Sequence, residues 1–150
     1  GDTILVTGEV PRVTEFEVGT PMEWLFQEGE WQPDPRVLDD RSIVMNVRGK
    51  GLVVVSGCAH AGIINTVRYA QELTGVEHVA AISGGFHLIG ANAERAIAGT
   101  VEALREIQPD LLVPSHCTGW HSTGPSSSRM RLLPPSALPS HRSWWRCSSH

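Results

Sequence analysis

The spacing of apolar positions between residues 42 and 56 predicts two β-strands. Ser42–Val47 and Leu52–Val55 are short runs rich in β-branched residues, and the intervening "RGKG" contains two glycines that suit a tight turn. We therefore expect an antiparallel hairpin in this part of the chain. The opening "TILVTGEV" has the same strand-like character.

Beyond residue 60 the apolar residues recur at helical spacing. A first helix that ends near Gly75, as its C-cap, is predicted by Ile63, Ile64, Val67, Ala70 and Leu73. A second helix, for which Asn92 can supply the N-cap, is predicted by Ile97, Val101, Leu104 and Ile107. The segments 78–82 and "PDLLVPSH" read as strands. The order β-β-α-β-α-β predicts an α/β layered fold with parallel crossovers.

Three histidines follow three successive predicted strands. His60, His87 and His116 each come within a few residues of a strand end. Loops after the carboxyl ends of parallel strands share one rim of a sheet, so these imidazoles are expected to converge. Imidazole is a common zinc ligand, and a thiolate from Cys58 or Cys117 could join or replace one of them. The spacing predicts a metal site at this rim.

Each of these residues also has a purely structural interpretation. His60 could bond to the backbone at a helix start, and Cys58 could be a small buried hydrophobic residue. Gly84 and Gly85 could expose N–H groups that cradle a phosphate of the substrate, or could simply permit a turn with positive φ. His78, at a strand start, is most simply a surface or capping residue.

The composition describes a soluble globular chain, but its charge is unevenly distributed. The 150 residues include 41% apolar and 19% charged residues, with a formal net charge of −4. All sixteen acidic residues lie at or before Asp110, so residues 1–121 carry a net charge of −8 and residues 122–150 carry +4. The Ser/Pro/Arg-rich tail contains no lysine and resembles a frame-shifted translation. We assign residues 1–121 to one partial domain and residues 122–150 to a disordered or non-native tail, and expect no nucleic-acid partner.

Cysteine usage and hydropathy suggest the compartment. Three cysteines at wide spacing argue against a disulfide framework. No apolar run approaches the roughly 20 residues of a membrane span, and no leader precedes the first strand. We therefore expect a cytoplasmic protein without a membrane partner. Since Gly1 enters directly on a strand-like segment, the sequence is expected to begin inside a longer protein.

Five ordered motifs resemble the C-terminal half of metallo-β-lactamase-fold hydrolases, in particular the group of dihydropterin ribofuranosyl-aminobenzene phosphate synthase. The motifs are "TGEVPRVTEFE", "LDDRSIVMNV", "GLVVVSGCAHAGIINT", "ISGGFHL" and "DLLVPSHCTGW". The resemblance implies half of an αββα sandwich and a cleft that holds one or two divalent metals. It implies that the metal is zinc, or alternatively manganese or iron, and that the substrate is a small molecule.

The resemblance also implies roles for individual residues. His60 and His116 match metal-binding positions, with Cys58 as a further candidate ligand, and His87 is the candidate catalytic residue. Arg12 in "GEVPR" would suit a substrate phosphate or carboxylate.

One motif of the superfamily is absent from the chain. His-x-His-x-Asp-His does not occur in the 150 residues. We therefore expect a metal-dependent hydrolase fragment that is inactive by itself. The alternative is a non-catalytic truncated fragment or binding module. The sequence leaves the oligomeric state open.

Overall fold

The computed structural model describes residues 3–19, 23–89 and 93–119. In chain order the strands and helices are β1 (Thr3–Val6), β2 (Trp24–Gln27), β3 (Glu30–Pro33), β4 (Ser42–Val47), β5 (Gly51–Ser56), α1 (Ile63–Thr74), β6 (Val79–Gly84), α2 (Ala93–Ile107) and β7 (Leu111–Pro114). Five strands form one mixed sheet in the order β1-β4-β5-β6-β7, and β2 and β3 form a separate hairpin.

The predicted order of elements is confirmed from β4 to β7. β4 and β5 pair antiparallel, and β5–β6 and β6–β7 pair parallel across the two helical crossovers. α1 ends at Gly75, which adopts a left-handed φ of 66° and donates its N–H to the carbonyl of Gln71. The proposed cap Asn92 and the tail 122–150 lie outside the described residues.

The two faces of the five-stranded sheet have different environments. One face packs with α1 and α2 into a single hydrophobic core. A row of cross-strand partners runs across that face: Leu5, Val44, Val54, Ile82 and Leu112. The sheet therefore carries both helices on the same side, which is one α/β layer pair of the predicted sandwich.

We call the opposite side of the sheet the outer face, and define it by two rows of cross-strand partners. The rows are Ile4, Met45, Val53, Ala81 and Leu111, and Val6, Ile43, Val55, Ser83 and Val113. At its two edges Ile4 is 74% and Leu111 is 43% exposed. Nearly all of these side chains are apolar, and within the described part of the chain no layer buries them.

The β2–β3 hairpin was not predicted from the sequence. The residues of β2 and β3 show little alternation between apolar and polar types, because both strands lie largely in solvent. The aromatic rings of Phe26 and Trp31, which are cross-strand partners, lie 5.3 Å apart between centroids. This cross-strand aromatic pair is what stabilises the hairpin locally.

Neither helix of the described residues combines the length and the apolar character needed to cross a bilayer.

Candidate metal centre

The loops that follow β5, β6 and β7 lie against one another, as the strand-end argument predicts. The backbone N–H of Gly85 donates to the carbonyl of Gly57 at 2.8 Å, and that of Leu88 donates to the carbonyl of Cys117 at 2.9 Å. These bonds join three chain segments that are far apart in sequence. They fix the backbone from which the histidine and cysteine side chains project.

Gly84 and Gly85 are buried where these loops cross. A Cβ on Gly85 would lie 2.7 Å from the carbonyl oxygen of His116 and 2.9 Å from that of Gly57. Gly84 has a φ of 126°, and a side chain there would meet Ser56. The observed geometry accounts for both glycines through close backbone approach. Their predicted contact with a substrate phosphate stays a prediction.

Two thiols and one imidazole lie together where the loop after β5 meets the loop after β7. The ligand atoms of Cys58, His116 and Cys117 all lie within 4.8 Å of one another. The two sulfur atoms are 3.5 Å apart, and the thiol of Cys117 points to that of Cys58. The cysteines are half-buried and His116 is exposed, so a metal ion could reach all three from solvent. Burial, followed by the neighbouring Cys117 thiol, raises the pKa of Cys58.

The other two histidines form a separate imidazole pair. The ring centroids of His60 and His87 lie 4.5 Å apart with an interplanar angle of 51°. The Nδ1 atom of each ring is buried and has no hydrogen-bond partner among the described residues. Burial, and secondarily the charge of His60, lowers the pKa of His87, which favours the neutral imidazole that binds metals. A buried nitrogen without a partner costs about 1–3 kcal/mol, so these atoms fit a bound cation or ligand.

The four residues predicted as catalytic or metal-binding all lie in the converged loops, but they divide into two groups. The tilted rings of His60 and His87 lie against each other, whereas Cys58 and His116 group with Cys117. The donor chemistry of both groups fits a borderline divalent metal. The individual roles of these residues stay predictions.

Arg12 lies beside the metal-site loop and is tied to backbone carbonyls. One terminal nitrogen, Nη1, donates to the carbonyl of His60 at 2.8 Å, and Nη2 donates to the carbonyl of Arg36. From the other side, Asp40 Oδ2 accepts a hydrogen bond from the N–H of Ala61 at 3.2 Å. Both charged side chains therefore support the loop around His60. A substrate contact for Arg12 stays a prediction.

Sequence reasoning missed the side chains that fix the start of α1. Glu17 Oε1 accepts from the N–H of Ile64 at 2.8 Å, and Oε2 accepts from that of Asn65 at 2.9 Å. In return, Asn65 Oδ1 accepts from the N–H groups of Val13 and Thr14. Glu17 thus caps a helix 47 positions away, where the first turn contains no acidic residue of its own. One feature of the sequence could have indicated a distant cap. Gly62 precedes the helix and has no side chain that could cap it.

The chain is similar in sequence to two proteins of Methanocaldococcus jannaschii. The chain is 43% identical over 74 residues to 7,8-dihydropterin-6-methyl-4-(β-D-ribofuranosyl)-aminobenzene-5'-phosphate synthase of Methanocaldococcus jannaschii. The matched region covers 49% of this chain and 25% of the synthase. An uncharacterised protein of the same organism is 34% identical over 117 residues, 78% of this chain and 41% of that protein. No protein-family model matches the chain.

The fold has a counterpart among solved structures. The crystal structure of Tm1679, a metal-dependent hydrolase of the β-lactamase superfamily, superposes with a TM-score of 0.68 at 27% identity. The match covers 82% of this chain and 46% of Tm1679. This chain thus spans between a quarter and just under half of the length of the proteins it matches.

The fold is that of the metallo-β-lactamase superfamily, as in Tm1679, and the chain is similar in sequence to a protein of the pterin-synthase group. Its sequence is similar, over 49% of this chain, to the dihydropterin ribofuranosyl-aminobenzene phosphate synthase of M. jannaschii.

Proposed function

We propose that this chain supplies the C-terminal part of a metal-dependent hydrolytic site that acts on a small molecule. The observation that carries the proposal is that three adjoining loops bear two groups of candidate donor side chains, one of Cys58, His116 and Cys117 and one of His60 and His87. Donors of this kind rarely meet by chance at the carboxyl end of parallel strands. Tm1679, which shares the fold, is a metal-dependent hydrolase.

The chemistry divides between the bound ion and the protein. A divalent metal such as zinc, when bound, polarises the scissile group and makes water nucleophilic at neutral pH. Cys58 and His116 would hold the ion, and His60, in the separate imidazole pair, is a candidate ligand for a second ion. His87, half-buried and favouring the neutral form, can accept a proton at a ring nitrogen and return it to a leaving group.

The proposed substrate class follows from the synthase relative and from the loop architecture. The name of that relative describes a ribofuranosyl compound that carries a 5'-phosphate. Buried glycines bring the loop backbone close to the candidate site, and because the N–H of Gly85 is bonded to the carbonyl of Gly57, an anion there would have to displace that bond. We therefore propose a phosphate-bearing small molecule as the substrate, with Arg12 and Gly84–Gly85 as candidate contacts.

Metal-dependent turnover tests the proposal. The full chain is assayed with phosphodiester and lactone substrates before chelation, after chelation, and after zinc or manganese is restored. The sequence alone predicts an inactive fragment, but because two groups of candidate donors lie within this chain, we expect weak turnover that chelator abolishes and metal restores. The His87→Gln variant should retain metal yet lose at least about a hundredfold in turnover, the typical contribution of a proton-transfer residue. His78→Gln is the matched control, since His78 lies on the surface and pairs with Asp110 at 3.0 Å.

The alternative function is a binding module without catalysis. It is favoured by the missing His-x-His-x-Asp-His motif and by the partial coverage of the three proteins described above. Stoichiometric metal without any chelator-sensitive turnover would contradict the hydrolase proposal and establish this alternative.

A further inference from the structure

The two thiols of the candidate site come from loops that are 59 positions apart in sequence. Cys58 follows β5, Cys117 follows β7, and their sulfur atoms approach to 3.5 Å. A disulfide requires about 2.05 Å, so both thiols are free to act as ligands. In a tetrahedral zinc site, with bonds of about 2.3 Å, two sulfur atoms lie about 3.8 Å apart. The observed separation is within a few tenths of an ångström of that value.

The backbone holds this thiol pair without any contribution from the imidazole pair. Cys117 has a left-handed φ of 59°, and its carbonyl accepts the N–H of Leu88. Gly85 packs against the backbone of Cys58 and His116 so closely that a Cβ would lie 3.1 Å from the Cα of Cys58. The positions of the donor residues are therefore set before any ion binds, which lowers the ordering cost of binding.

We propose that Cys58, His116 and Cys117 form a thiolate-containing site for one thiophilic divalent ion of the zinc class. This inference rests on the proposed function for the location of the site, but it does not require catalysis. Two sulfur donors and one imidazole favour zinc over a hard ion such as manganese or magnesium. Because all three donors belong to this chain, it binds the ion without the His-x-His-x-Asp-His motif. The thiol protons are released to solvent as the metal–sulfur bonds form.

Cobalt substitution tests this inference through a readout independent of turnover. The Cys147→Ser chain, which lacks the third cysteine, is kept reduced with a phosphine and titrated with Co²⁺. We expect one equivalent to bind with a near-ultraviolet sulfur-to-cobalt charge-transfer band. Zn²⁺ should displace the cobalt and Mn²⁺ at the same concentration should not. Cys58→Ser and Cys117→Ser should each weaken binding at least tenfold, since even outer partners of a ligand contribute 10–100-fold.

The controls separate this site from the imidazole pair. The double variant His60→Gln/His87→Gln should retain the charge-transfer band, and His78→Gln should leave it unchanged. Circular dichroism confirms that each variant is folded. If a cysteine variant does not fold, thiol labelling of the Cys147→Ser chain answers the same question, because bound zinc should protect both thiols from reaction.

Two results would overturn the inference: a cobalt complex without the charge-transfer band, or two thiols that react equally fast with and without zinc. Loss of turnover with the band intact would contradict the proposed hydrolase function and leave this site established.

Discussion

At the residue scale, each of the three site loops contains one non-glycine residue with a left-handed backbone. Ala59, His87 and Cys117 have φ values of 53°, 49° and 59°. An L-residue pays about 1–2 kcal/mol for this conformation, and such residues concentrate where side chains must be aimed at a functional site. Tertiary contacts impose this left-handed backbone conformation, so it cannot be predicted from a local sequence pattern.

Replacing Ala59 by glycine should relieve this strain. Ala61 is the matched control, because it is similarly buried, lies in the same loop and is not among the residues with positive φ. Both substitutions remove one buried methyl group, so the difference between them reports the backbone. We expect Ala59→Gly to be more stable than Ala61→Gly by about 1–2 kcal/mol in urea unfolding. Equal stabilities would show that Ala59 is not strained.

The buried carboxylate of Glu17 should make stability depend on pH. Burial raises its pKa, and the hydrogen bonds from Ile64, Asn65 and Thr14 offset this only in part. The folded chain therefore binds this proton more tightly than the unfolded chain. The resulting stabilisation is complete below the ordinary glutamate pKa of about 4.3 and is lost as pH rises through the raised pKa of the folded state.

Thermal unfolding between pH 4 and 7 measures this dependence. Glu17→Gln should lack this component of the pH profile, and should unfold at a lower temperature at every pH because an amide satisfies the helix N–H groups less well. Glu15→Gln, at an exposed neighbour, serves as the control and should follow the unaltered chain. Identical pH profiles for all three proteins would rule out the role assigned to Glu17.

At the element scale, the sequence predicted the strands and helices from Ser42 to Pro114 because apolar periodicity and glycine turns act locally. It predicted the convergence of the loops after β5, β6 and β7 from the rule for parallel strands. It did not predict that His60 would pair with His87 while Cys58 grouped with His116 and Cys117. That division depends on side-chain directions in the folded loops, as does the long-range cap of α1.

The crossing of the loops at Gly85 should be sensitive to a single methyl group. In Gly85→Ala the new Cβ would press on two backbone carbonyls, those of His116 and Gly57. We expect a loss of about 1–3 kcal/mol in stability and weaker metal binding, as the loops move apart. Gly57→Ala is the control, because a Cβ there has no neighbour within 4 Å. Urea unfolding and cobalt titration of both variants check this; similar behaviour of the two would refute it.

At the scale of the whole molecule, the outer face of the sheet is the prominent apolar surface that the described residues leave uncovered. Its two rows of apolar side chains run across all five strands, and the edge strands β1 and β7 carry the exposed Ile4, Val6, Leu111 and Val113. The αββα sandwich that the resemblance implies predicts a second sheet against this face. The relatives are more than twice as long as the matched regions.

The outer face should make the chain associate with itself. Sedimentation velocity should show a concentration-dependent increase in size for the unaltered chain. The double variant Ile4→Lys/Leu111→Lys, which places a charge on each edge strand, should shift the distribution towards monomer without changing the circular dichroism spectrum. A chain that is monomeric at every concentration would contradict this assignment of the face.

The central claim is that the loops after the parallel strands form a metal centre with sulfur and nitrogen donors. X-ray absorption at the zinc edge of the dialysed, zinc-loaded full chain tests it most directly. The account predicts one retained zinc per chain, with sulfur neighbours at about 2.3 Å and nitrogen neighbours at about 2.0 Å. Zinc that is lost on dialysis, or that is surrounded only by nitrogen and oxygen, would contradict it.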